Sequence, residues 1–197
     1  MKRKLLIALV CSLIVFTLSP FAVAAKQSNK EGLPAEFTAG ASITQIHETA
    51  NPEYLGDMGN GVLYYRTVGE QLTGRIDSCE EWQTLVDASI YMDNDSYYTL
   101  DSTDTAISGT SIATVEIRTN DHKGKLSFQV AGTMTGSLYS GVKAKMFVIP
   151  GSVKSEGVLK QTVPTTISAD FYWTLDGSGN IIGGGGLGTI EGNFQAK

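Results

Sequence analysis

Between Ala106 and Gly136 the chain alternates. Ile107, Gly109, Ser111, Ala113, Val115 and Ile117 share one parity, and Thr110, Thr114, Glu116 and Arg118 the other. Leu126, Phe128, Val130 and Met134 then oppose Lys125, Ser127, Gln129 and Thr133. Period-two alternation in Val-, Ile- and Thr-rich runs predicts half-buried strands. Asn120 to Gly124 supplies the Asn, Asp and Gly that tolerate positive φ. The stretch therefore predicts a long antiparallel hairpin at the centre of an all-β domain.

Weaker versions of the pattern flank it. Phe37 to Thr49 reads as a first strand with Ala39, Ala41, Ile43 and Gln45 on one face. Asn51-Pro52-Glu53 looks like a helix start, cut to one turn by Gly56, Gly59 and Gly61. Gly61 to Val68 and Gln71 to Asp77 predict a hairpin about Gly69-Glu70, with Leu72, Gly74 and Ile76 sharing a face. Ser78 to Glu81 forms a capping box. It predicts a brief helical turn and then a strand to about Met92. Gly141 to Ile149 alternates Val142, Ala144, Met146 and Val148 with lysines and stops at Pro150-Gly151. A further strand is expected over Gly157 to Val163. Ile167 to Leu175 sets Phe171, Trp173 and Leu175 opposite Tyr172 and Thr174. Asp176 to Gly179 is a turn, and Ile181 to Phe194 a final strand. The pattern predicts a single antiparallel β-barrel of about eight strands with one or two short helical turns. Many glycines, few prolines and an aromatic-rich composition fit that class.

The N-terminus changes the picture of where such a domain works. Lys2, Arg3 and Lys4 precede an apolar run from Leu5 to Leu18, and Ala22-Val23-Ala24 offers small residues at cleavage spacing. This predicts a signal peptide over 1–25, a polar lead-in over 26–35 and a β-barrel domain over 36–197. The apolar run is shorter than the ~20 residues a spanning helix needs. No stable membrane span is expected after cleavage, and the product is expected to be periplasmic or extracellular. Removing three cations from 15 basic residues leaves 12 against 20 acidic ones. That balance argues against nucleic acid as a partner. Only Cys79 remains after cleavage, so no internal disulfide is expected, and a semi-buried structural thiol is the preferred reading.

The candidate chemistry is sparse, and no cofactor or metal is expected. Asp93, Asp95, Asp101 and Asp104 fall at positions one, three, nine and twelve of a calcium-loop frame. Tyr98 stands at its glycine position, Tyr97 at a ligand position, and the last ligand is Asp rather than Glu. An acidic solvent loop with a short strand at Tyr97–Leu100 is preferred. The run Gly183 to Gly188 spells G-x-G-x-x-G, but no βαβ unit surrounds it. Glycine there suits a bend or close strand packing. His122 reads as solvated in a turn and His47 as exposed at a strand end. Glu116 could be an acid–base group if its face lined a lumen; on the outer face it is a surface charge, and a small barrel turns its apolar face inward. Tyr64, Tyr65, Trp82, Phe128 and Trp173 are candidate ligand-binding aromatics, with plain core as the competing reading.

LTGRI at 72–76, GKLSFQVAGTMTG at 124–136 and the pair WTLDGSGN and GLGTIEGNF within 173–194 resemble the repeating elements of allene oxide cyclase-like barrels. The likeness is nearest to small bacterial families of unknown function that share that barrel. It covers about half of the mature chain. The glycine run before Leu187 is longer than the family pattern, and 137–170 has no clear counterpart. The resemblance implies an eight-stranded barrel with a narrow apolar lumen, often oligomeric, and in cyclase members a lumen carboxylate with a bound water. Glu116 is the nearest matching carboxylate, at a spacing that is not the family's.

Three functions are therefore expected in turn. The first is an exported barrel binding a small apolar ligand without catalysis. The second is an isomerase or cyclase working through Glu116. The third is an envelope-associated subunit or homo-oligomer assembling through strand edges.

Overall fold

The computed structural model describes residues 35–47, 52–101, 103, 106–175 and 181–195. The signal peptide, the lead-in up to residue 34, Asp104 and the turn Asp176–Gly179 lie outside the described residues. Ten strands are described: β1 (Glu36–His47), β2 (Glu53–Gly59), β3 (Val62–Cys79), β4 (Ser89–Leu100), β5 (Ala106–Arg118), β6 (Gly124–Ser137), β7 (Gly141–Val148), β8 (Lys154–Gly157), β9 (Thr162–Leu175) and β10 (Ile181–Phe194). A single 3-10 turn, Gln83–Leu85, is the one helical element among them.

All pairings are antiparallel, in the order β1-β10-β9-β7-β6-β5-β4-β3-β2, with β8 beside β6. β1 also pairs with β3, which closes an eight-stranded barrel and leaves β2 and β8 as additions to it. Closure pairs the edges of these eight strands with one another, while β2 keeps one edge free of a strand partner among the described residues.

The central hairpin forms as its alternation requires. Val115 and Ile117 face inward against Phe128 and Leu126, while Thr114 and Arg118 are exposed. Its turn is held by local polar groups. The Asp121 carboxylate accepts from the Thr119 hydroxyl at 2.8 Å and the Lys123 N–H at 3.0 Å.

Five expectations are corrected. Glu53–Gly59 is strand, not a helical turn. It returns into β3 through Asn60-Gly61, both at positive φ, the signature of a two-residue hairpin. Gly69-Glu70 is no hairpin turn. β3 runs straight through it, and a bulge shifts the register between Thr67 and Glu70. Gly69 takes φ +73 there, and its N–H donates to Asp95 Oδ1 at 2.8 Å. On β1 a second shift, between Ile43 and Gln45, turns Gln45 outward and buries Ile46 instead. The expected acidic loop is the body of β4, which pairs with β5 from Ser89 to Leu100. Finally, β8 and β9 are joined by a turn over 158–161, where a strand was expected.

The interior has two ends. The closed end collects the β5–β6 turn, the 3-10 turn and the β8–β9 turn. Phe37 and Phe194 rings meet there at 5.3 Å, and Trp82 caps Phe194 edge-on at 4.9 Å. Leu85, Leu126, Phe128 and Leu159 are fully buried beside them. At the far end stand the β2–β3 hairpin and the β6–β7 turn. On β10 the inner positions Gly184 and Gly186 let β9 approach closely. A Cβ on Gly186 would sit 2.3 Å from the Asp170 carbonyl oxygen.

Candidate functional site

Besides Thr119 and Thr162 at the closed end, the buried polar side chains of the described residues gather on the far side of the apolar core. The β3 bulge creates the cluster. Thr67 and Glu70, three residues apart, would face opposite ways on a regular strand; the inserted residue brings both inward. Glu70 lies opposite Asn94 in register, and Thr67 opposite Ser96. Ser96 pairs in turn with Ser111 of β5.

Glu70, Asn94 and Ser111 form a connected network with Trp173, and Thr67 pairs separately with Tyr98. Asn94 Nδ2 donates to Glu70 Oε2 at 3.1 Å. The Ser111 hydroxyl donates to Asn94 Oδ1. From the other wall Trp173 Nε1 donates to Glu70 Oε1 at 3.2 Å, joining residues 103 apart in the chain. The Thr67 and Tyr98 hydroxyls lie 3.3 Å apart. Buried polar groups of this kind need partners, since an orphan costs about 1–3 kcal/mol. Asn94 and Ser111, each 8% exposed, have them.

Aromatic rings frame the network. Tyr65 and Tyr98 stack at 6.0 Å, and Phe171 meets Trp173 edge-on at 5.2 Å. Burial pushes the Tyr98 phenol pKa up, the Thr67 hydrogen bond opposes this, and the Glu70 charge adds to the rise. Tyr65, Glu70, Tyr98, Phe171 and Trp173 are all half-buried, so solvent reaches this part of the interior.

Directly beneath, at the inner positions next to Glu70 and Asn94, Leu72 and Met92 line a cavity of about 40 Å³ with Ile167, Ala169 and Ile190. Ligand pockets usually span ~300–1,000 Å³. This gap is one or two waters in size and apolar, so it is a packing defect and not a ligand chamber. Two grooves on the outer face, about 500 and 330 Å³, share Lys143 and Asp170. That pair is 3.5 Å apart and well exposed, an ordinary surface ion pair.

Of the candidate residues singled out in the sequence, Trp173 joins the cluster by a hydrogen bond and Tyr65 by its ring contact with Tyr98. Glu116 lies on the outer face, between inward-facing Val115 and Ile117. It pairs with Lys125 at 2.6 Å and with Arg118. The Lys125 hydrogen bond holds its carboxyl below the usual range; burial opposes this, and Arg118 adds to the lowering. A lumen acid–base role is not available to it. The carboxylate inside the barrel is Glu70, hidden from sequence reading because Gly69-Glu70 resembles a turn. Tyr64 is on the outer side of β3, its ring 6.4 Å from that of exposed Tyr97. Trp82 belongs to the closed end, and Phe128 is core at 1% exposure. Cys79 is buried, and burial raises its thiol pKa. His122 is exposed in its turn. Asp93 and Asp95 are strand residues, not loop ligands, and no group of three or more metal-binding side chains occurs among the described residues.

No family model matches this chain, and no curated protein or solved structure does either. The described strands close into an eight-stranded antiparallel barrel, an architecture that does not by itself identify a family.

Proposed function

We propose that the protein is a binding barrel that takes a small molecule at its far end, against Glu70 and Trp173, and carries out no reaction on it. The supporting observation is the contrast in burial along the interior. Phe128, Val115 and Val130 are sealed, whereas Glu70, Tyr98, Phe171 and Trp173, facing the same interior, remain half-buried. Evolved cores close such positions with aliphatic side chains; rings and a hydrogen-bonded carboxylate in partial contact with solvent suit recognition. The apolar ligand expected from sequence becomes, in this reading, one with a polar end for Glu70. The cyclase alternative loses its named acid–base with Glu116. An exported location is part of the proposal and rests on the N-terminal sequence alone.

The test is NMR titration with a fragment library, following the two indole N–H signals, Trp82 and Trp173. Ligands should shift Trp173 saturably and leave Trp82 unmoved. Shifts confined to Trp82, or none across the library, would overturn the reading.

A second reading, assembly through a strand edge, is favoured by β2. It ends the sheet order and exposes Tyr54 and Met58. A monomer that persists at high concentration on sizing would remove it.

A further inference from the structure

We infer that the ligand at the far end is an organic cation, a small molecule carrying an ammonium or quaternary ammonium group that sits against Glu70 between the aromatic walls. This rests on the far end being the ligand site and specifies what the site selects. The first observation is a missing partner. Glu53, Asp77, Asp87, Glu116, Asp121 and Asp170 pair with lysine or arginine, and carboxylates such as Glu80 and Glu191 that lack such a pair are exposed to water. Glu70 forms no such pair among the described residues. Its two carboxylate oxygens accept from neutral donors only, the Trp173 indole and the Asn94 amide. Those bonds orient the carboxylate and bring no cationic side chain to it.

The second observation is the wall. Trp173 touches the carboxylate directly, and Tyr98 feels its charge. Phe171 and Tyr65 extend the aromatic surface on either side. Ring faces attract cations, tryptophan most strongly, and the attraction grows as water is excluded.

The balance of costs then discriminates between ligand classes. An anion meets repulsion from Glu70. A neutral apolar ligand buries the carboxylate without a counter-charge, which costs free energy. A cation removes that cost and gains the ring contacts, so rejection of the other classes is built into the same residue. The rival account is that Glu70 is only a strut tying the β3 bulge to β9. Both accounts predict a stability loss on truncation, but only one predicts charge selectivity.

The experiment titrates the full mature chain with tetramethylammonium, choline and benzyltrimethylammonium. Each is matched by a neutral analogue in which carbon replaces the nitrogen, and Trp173 Nε1–H is followed by NMR. At least one cation should bind saturably and roughly tenfold or more tighter than its analogue. Glu70→Gln, which keeps a hydrogen-bonding amide in place, should erase that preference while its folded spectrum persists. Equal affinity for cation and analogue, or a preference surviving in Glu70→Gln, would overturn the inference and leave the far-end site standing. Neutral ligands binding at Trp173 with every cation silent would do the same. Silence from both panels would remove the site as well.

Discussion

Inner positions along β5 and β6 near the closed end are Val115, Ile117, Leu126 and Phe128; those along β3 and β4 further up are Thr67, Glu70, Asn94 and Ser96. Both sets face one interior and lie on strands of the same period. The first set is aliphatic or aromatic and sealed, and it stabilises the barrel by area removed from water. The second is polar, with Thr67, Glu70 and Asn94 held by named hydrogen bonds, so it contributes less free energy and more specificity. A barrel this narrow needs only part of its length for a core, and the remainder is free to carry chemistry.

The sharpest way to break that contrast is to truncate within the sealed set. Phe128→Ala should cost about 3–5 kcal/mol in urea unfolding, because its site is fully enclosed and cannot collapse. A loss below ~1 kcal/mol would mean the closed end is not the core. Next comes Glu70→Ala, which strands the Asn94 amide and the Trp173 indole. A loss of about 1–3 kcal/mol is expected, together with a shifted Trp173 indole signal. An unmoved signal would show that the carboxylate does not hold the ring.

Tyr98→Phe is a smaller step. It should cost about 0.5–1.5 kcal/mol near neutrality through the lost contact with Thr67. The phenol pKa is raised in the folded state, so its contribution is complete below the ordinary tyrosine range and is lost as pH rises through the raised value. The variant should therefore flatten the alkaline end of the stability profile, and an unchanged slope would contradict the assigned burial. Smallest is Glu116→Gln on the outer face, at about 0.2–1 kcal/mol. The Glu116 pKa is lowered, so the stability it supplies is present above the ordinary carboxylate range and fades as pH falls through the lowered value. High salt should erase the difference between variant and parent. Persistence in high salt would place this carboxylate in a more sheltered setting than its outer position gives.

Much of this was legible in the chain. The all-β class, the barrel and the hairpin from Ala106 to Gly136 follow from alternation, which local sequence carries in full. The Asn60-Gly61 hairpin was not read from the sequence, because the helix-like Asn51-Pro52-Glu53 and the glycines that follow predict a helical turn and a loop there. Trp173 could be picked as an aromatic of interest, yet nothing near it in sequence names Glu70 as its partner.

What local pattern determined is therefore the period of each strand and which residues share a face. What only the closed barrel decided is the phase. The bulges at Ile43–Gln45 and Thr67–Glu70 each insert a residue and reverse which parity points inward. That choice put Ile46 in and Gln45 out, and it turned Glu70 toward a tryptophan 103 residues away. A bulge is selected by the need of eight strands to coil and meet, a condition that no single stretch of sequence contains.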